Sequence, residues 1–221
     1  GTAFLLSSTL AMAAVTALLT GFSFGVNNGN MMSQANVTRT ALGLGDTEST
    51  AHNLIWGWCV STFCLGAIAA LTPAASLADK WGRRKFLLTL NIVFIIGAVA
   101  EGSSGYLCTG GSTATVCVPG VACMIAGRFV TGMACGATTV VVPMYLGEIS
   151  PPELRGALGT SFQFTICISM CAAQVMGMGE FLGTPDGWPF GESRLLLLLL
   201  MLLMLLLSTT VSLPPSFSIL L

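Results

Sequence analysis

Charge is what this sequence has least of. Its 221 residues include eight Lys plus Arg and nine Asp plus Glu, 8% in all, with a single His. A soluble domain carries roughly 25% charged residues, so a water-dissolved enzyme is excluded by the surface it would have to present. A formal charge of −1 leaves no basic field to hold nucleic acid, and no nucleic-acid partner is expected. No set of nucleophile, base and orienting group appears, no phosphate-cradling loop and no metal-ligand spacing among the cysteines. Neither an enzyme, a cofactor nor a metal is expected. Apolar residues are abundant instead, at 54% with a mean hydropathy of +0.86, and the bilayer is the solvent that suits them.

A helix needs about 20 mostly apolar residues to cross a hydrocarbon layer about 30 Å thick, so the chain has room for about six crossings with about 100 residues of loop. Gaps between charges locate them. The first charge is Arg39; none falls between Glu48 and Asp79, or between Lys85 and Glu101; Arg128, Glu148, Arg155, Glu180 and Arg194 are widely spaced. The spans predicted are Ala3 to Ser33, Leu54 to Ala78, Phe86 to Leu107, Pro119 to Leu146, Ala157 to Gly179 and Leu195 to Val211. All are expected to be helices, because a backbone in lipid must satisfy its own hydrogen bonds.

Lys80, Arg83, Arg84, Lys85 and Arg155 fall on one side of this arrangement, and Arg39 and Arg194 on the other. The richer side is expected to be cytoplasmic, with both termini. The chain begins without Met and without a short cleavable apolar core behind a basic flank, so the first span is expected to be a membrane helix with the true start missing or processed. Leu195 to Leu207 is almost pure Leu, which suits a lipid-facing helix and not a polar lining. Gly21, Gly25 and Gly29 recur at four-residue spacing, and Gly127, Gly132 and Gly136 nearly so. Each set lies along one helix face, for which close helix packing is the plainer reading. Helices one to three and four to six are expected to form two inverted three-helix repeats.

Two motifs say more. After the second span comes Asp79-Lys80-Trp81-Gly82-Arg83-Arg84-Lys85, where a carboxylate at a helix end can bind guanidinium forks and tie helix ends together. A bare basic cluster would report topology only. The second motif runs Gly127-Arg128-Phe129-Val130-Thr131-Gly132-Met133-Ala134-Cys135-Gly136, then Pro143-Met144-Tyr145-Leu146-Gly147-Glu148, then Leu154-Arg155-Gly156. With these spacings the chain resembles the sugar porter family of the major facilitator superfamily, particularly its facilitative glucose transporters. Phe24-Gly25-Val26-Asn27-Asn28-Gly29 in the first span is similar to a further family stretch, with Val26 in place of Tyr. Gln163, followed by Ala173-Gln174-Val175, extends the resemblance from about Phe22 to Val175.

The departures matter as well. Ala75 stands where the loop pattern has Gly, and Leu213-Pro214-Pro215-Ser216-Phe217 carries neither the acid nor the base of the family's motif after the sixth helix. Sugar porters resemble two six-helix halves joined, whereas residues 1–221 hold one such transmembrane bundle.

The resemblance implies a carrier of a hexose. Sugar hydroxyls lose water on entering a membrane, and neutral amides replace it without burying a charge. Gln163 is the expected contact, because the matching Gln of the family touches the sugar; a bond to a neighbouring helix is the plainer role for a buried amide. Ile166 and Met170 follow at helical spacing as an apolar wall, a pair that would otherwise be read as core. Gln174, eleven residues after Gln163, returns to nearly the same helix face. Phe24 and Asn28 are weaker cavity candidates.

Arg128 lies roughly 14 Å into its helix at 1.5 Å per residue and needs a partner. In proton-coupled sugar porters the resemblance implies an Asp there; in this chain the position is Asn27. An amide takes up no proton near neutral pH, so facilitated diffusion is favoured over proton symport. Glu101, at comparable depth, is the alternative titrating group. Asp79, Arg83, Arg84, Glu148 and Arg155 are implied to form a cytoplasmic gate that breaks as two halves rock apart in alternating access.

Cys108 and Cys117 bracket a Gly, Ser and Thr rich loop and can pair as a disulfide where that side is oxidising. Asn36-Val37-Thr38 is a glycosylation sequon close to the first helix, and the lone His52 reads as interfacial. The expected partners are a hexose, the lipid bilayer, and a second six-helix half or a larger membrane complex. The resemblance implies the plasma membrane as its place, as a multi-pass protein. The rival class is a degenerate half-length relative acting as a structural subunit of a membrane complex.

Overall fold

The computed structural model describes residues 8–33, 35–45, 49–108 and 116–176. These form six helices: α1 (Ser8–Ser33), α2 (Ala35–Ala41), α3 (Thr50–Trp81), α4 (Arg83–Cys108), α5 (Val118–Ile149) and α6 (Arg155–Met176). Of them α3, α4, α5 and α6 are long and apolar enough to cross a membrane. The expected span Leu195 to Val211 lies outside the described residues.

Five predicted spans correspond to α1, α3, α4, α5 and α6, and α3, α4 and α5 run past the apolar windows at both ends. Asp79 and Lys80 belong to α3, which ends only at Trp81, because helical hydrogen bonding continues where hydropathy stops. Gly82, at φ 83°, turns the chain into α4, a backbone region open to glycine. Pro73 and Pro143 lie inside α3 and α5, as membrane helices tolerate. The short α2 differs from the loop expected there. It closes with a turn in which the Leu42 and Leu44 amides donate to the Thr38 and Arg39 carbonyls at 3.0 and 2.7 Å, and both leucines are fully buried.

The central helix is α5, with α3 and α4 along two of its sides, while α1 runs along α6 and also meets α5. Small residues set these contacts. A Cβ at Gly132 would collide with the Phe63 carbonyl oxygen of α3, and one at Gly25 with Ser169 and the Ile166 carbonyl of α6. Such backbone approach replaces the hydrophobic drive that lipid cannot supply. Around it pack Ala17, Val142, Leu146, Phe162 and Ile166 where α1, α5 and α6 meet; Val26, Phe94, Ala134 and Cys135 at mid-bundle; and Met31, Leu42, Leu44, Cys59, Cys108, Val121 and Met124 at the α2 end.

Candidate functional site: a buried polar cluster, an amide face and an ion-paired end

Arg128 is 3% exposed in the middle of the bundle. Its Nη1 donates to Asn27 Oδ1 of α1 at 3.0 Å, and its guanidinium carbon lies 5.7 Å from the ring centre of Phe63 on α3. Three helices thus surround one cation, with a neutral acceptor and an aromatic face as partners. Arg128 Nε has no hydrogen-bond partner among the described residues. One turn along α5, Thr131 Oγ1 donates to Glu101 Oε1 of α4 at 2.6 Å and lies 3.0 Å from the Gly127 carbonyl oxygen. Glu101 is 1% exposed, and it reaches this position across Gly127, where a Cβ would lie 2.5 Å from its Cγ.

Thr131 and Phe63 were not singled out in the sequence. The signal for Thr131 was its spacing, three residues from Arg128 and so on a neighbouring face. Phe63 had none, because the approach of α3 to α5 places it.

The residues expected to line a cavity separate into distinct environments. Gln163 and Gln174 are exposed on α6, as are Cys167 and Cys171 between them; Gln163 Nε2 lies 3.9 Å from Cys167 Sγ. At 3.6 residues per turn these four form one edge of the open face, and the exposed Phe164, Ile168 and Val175 form the other. One edge therefore carries the two amides and the other only apolar side chains. Ile166 is 5% exposed in the contact of α6 with α1, and Met170 is half-buried beside Gly29. Phe24 packs against Phe63 at 6.3 Å between ring centres. Asn28 is half-buried on α1.

At the end of the bundle opposite α2, Arg83 joins three helices. Its Nη1 donates to Asp79 at 2.5 Å, and its Nε and Nη2 donate to Glu148 Oε1 at 3.2 and 3.0 Å. Bonding to the Glu148 carboxylate, ahead of that to Asp79, raises the Arg83 pKa above its ordinary value. Each partner stands at the wrong pole of its helix dipole: Arg83 opens α4, whereas Asp79 and Glu148 close α3 and α5. Each such placement costs about 0.3–1 kcal/mol, so the cluster makes sense as a connection between helix ends more than as a gain in helix stability. Arg155 is exposed at the first turn of α6, and the Arg84 side chain lies outside the described residues. Sulfurs of Cys108 and Cys117 are joined at the other end. Among the described residues no group of three or more His, Cys, Asp or Glu gathers to hold a metal.

A bundle of long apolar helices that buries one cation against an amide and an aromatic ring, and ties its helix ends by a forked ion pair, has counterparts among solved structures of the major facilitator fold. Solved structures agree: the partially occluded xylose transporter XylE of E. coli superposes with a TM-score of 0.77 at 23% identity, over 93% of this chain and 49% of that one. The proton:xylose symporter XylE bound to 6-bromo-6-deoxy-D-glucose matches with a TM-score of 0.76 at 25% identity, over 94% of this chain and 46% of that one. The model of the family "Sugar (and other) transporter" matches residues 9–218, and the chain belongs to that family.

Among curated relatives, facilitated glucose transporter member 2 of solute carrier family 2 from Mus musculus is 37% identical over 145 residues, covering 65% of this chain and 26% of that protein. Facilitated glucose transporter protein 1 of Caenorhabditis elegans is 32% identical over 191 residues, covering 83% of this chain and 35% of that protein. The chain thus spans between a quarter and two fifths of the length of these relatives.

Proposed function

We propose that the chain is one six-helix half of a carrier that passes a hexose by facilitated diffusion, the sugar site being shared with a second half. The observation that carries this reading is the open edge of α6, where Gln163 and Gln174 stand exposed one above the other. Exposed amides on a membrane helix are costly toward lipid and useful toward a polyhydroxylated solute. Phe24 and Asn28 of α1 would extend that lining, and the half-buried Met170 would meet the sugar's C–H face, whereas Ile166 is enclosed between α6 and α1. The Arg83, Asp79 and Glu148 connection, with Arg84 and Arg155, acts in this reading as the gate at the cytoplasmic end, opened when the halves rock in alternating access.

Two inverted repeats are supported by the contacts: α1 lies along α6 as α5 lies along α3, the pairing that exchange of two three-helix units produces when α1, α3 and α4 form the first unit. The crossing of α1, a sixth crossing beyond α6, cytoplasmic termini and a plasma-membrane location belong to the same proposal. The test is sugar counterflow in liposomes. The chain alone should show none, and the chain assembled with a second half should show saturable exchange that Gln163→Ala weakens. Robust exchange by a demonstrated monomer would overturn the shared site.

One observation favours a second reading, proton-coupled symport. Glu101 is a carboxylate buried beside Thr131, one turn from Arg128. Asn27 favours facilitated diffusion, because the partner that Arg128 has on α1 takes up no proton. Uptake by Glu101→Gln at acid and neutral pH separates the two: loss of acid stimulation would establish symport. A purely structural subunit would show no exchange in any assembly.

A further inference from the structure

The α2 end of the bundle is closed by a small cap. Leu42 and Leu44, fully buried, pack with Met31, Val121, Met124, Cys108 and Cys59. Arg39 of α2 holds the cap to α3 by donating to Asn53 Oδ1 at 2.5 Å and by lying 5.7 Å from the ring centre of Trp56. A third hold comes from α5: the Cys117 amide, at the N-terminal cap of that helix, donates to the Leu42 carbonyl at 3.2 Å. Cys117 is in turn fixed to the last residue of α4 by the disulfide to Cys108. Beneath the cap lies Cys59 of α3, a free thiol with no exposed surface.

We propose that the Cys108–Cys117 disulfide is a redox clasp on this cap: intact, it holds the start of α5 against Leu42 and keeps Cys59 covered; reduced, it lets the cap lift. The exchange is balanced. A dithiol gives up two hydrogens and closes to its own cyclic disulfide, while Cys108 and Cys117 become two thiols. The physical reason is positional. Leu42 is held to α5 by a backbone bond from the residue that the disulfide immobilises. With Cys117 free to move, that bond and the packing of Cys108 loosen together, leaving the cap held by the contacts of Arg39 with Asn53 and Trp56 and by the burial of Leu42 and Leu44. The inference goes beyond the transport reading and does not depend on it.

The test is alkylation of Cys59 by a maleimide in native membranes, mapped by peptide mass, before and after treatment with dithiothreitol. Reduction should raise Cys59 labelling about tenfold or more, as expected for local opening of a closed segment. The double variant Cys108→Ser with Cys117→Ser should show the same labelling without reductant. Leu42→Ala, with the disulfide intact, should also expose Cys59 and so identify the cap as its cover. Cys59 remaining closed while Cys108 and Cys117 themselves label after reduction would overturn the proposal. So would a Leu42→Ala variant in which Cys59 stays closed. Should the double variant fail to fold, the dithiothreitol measurement on the unaltered chain decides.

Discussion

Arg128 and Asn27, 101 residues apart in the chain, meet at 3.0 Å inside the bundle with both side chains buried. The pair places a permanent cation against an acceptor that cannot titrate near neutral pH. Replacement of Asn27 by Asp would supply a titratable partner of the same shape. Asn27→Asp should make uptake rise several-fold on acidification in the assembled carrier, measured as initial rates at acid and neutral pH. A flat profile would show that Arg128 does not report the protonation of its α1 partner.

Glu101 supplies the complementary experiment. Under facilitated diffusion, Glu101→Gln should leave the ratio of acid to neutral uptake unchanged, since the amide can still accept from Thr131 Oγ1. Glu101→Ala should also lower stability by about 1–3 kcal/mol, because it leaves a cavity and removes the α4–α5 bond, even though the Thr131 hydroxyl can still donate to the Gly127 carbonyl. Thermal unfolding of the two variants in detergent checks the difference.

The exposed edge of α6 gives a third. Loss of one sugar-facing amide removes about 1–1.5 kcal/mol of binding, so Gln163→Ala should raise the half-saturation concentration for hexose roughly tenfold. Phe164→Ala, on the apolar edge, should leave it unchanged. Equal effects at both positions would remove the distinction between the edges.

Gly132 tests the packing. Its missing Cβ is what lets the Phe63 carbonyl approach, so Gly132→Val should destabilise the bundle by about 1–3 kcal/mol. Gly159→Val meets nothing within 4 Å of the added Cβ and should cost nothing, since helix propensity favours Val over Gly. Unfolding midpoints of the two variants carry the comparison.

Arg83→Lys keeps the charge and loses the fork. The pair is partly exposed, with side-chain exposures of 15% for Arg83 and 40% for Glu148, so stability should change by about 1 kcal/mol or less. The balance between inward and outward states, read by site-directed fluorescence in the assembled carrier, should shift. The sign of the pH effect follows from the direction of the shift. A cation whose pKa is raised by folding gives stability that is complete below its unfolded value and is lost only above the folded one. For Arg83 that interval begins at its ordinary, strongly basic value and extends upward, so its contribution is constant across physiological pH.

Much of this was legible in the residues. Charge gaps located α3, α4 and α5 to within a few residues, since hydropathy fixes which segments can lie in lipid. That Arg128 and the helix-end charges need partners was readable from the residues, while the resemblance implied which ones: Asn27 for Arg128, and Asp79, Arg83 and Glu148 as one set. The α2 cap was not, because seven residues of mixed polarity carry no periodic signal, and what orders them is the burial of Leu42 and Leu44 against helices distant in sequence. Glu101 was seen as a deep carboxylate, while its bond to Thr131 depends on the crossing of α4 with α5 at Gly127. Ile166 shows the same limit: one residue in the α6 repeat meets α1 while Gln163, three positions earlier, faces outward.

Scarcity of charge, the length of the apolar runs and the spacing of a few polar groups decided by themselves that the chain belongs in a bilayer as a helical bundle, because each helix in lipid must satisfy its own backbone and each buried cation must find an acceptor. Which face of each helix meets a neighbour was decided only in three dimensions. Missing Cβ atoms at Gly25, Gly127 and Gly132 let specific backbones touch, and that contact, set by shape and not by hydropathy, determines which amides are enclosed and which remain open.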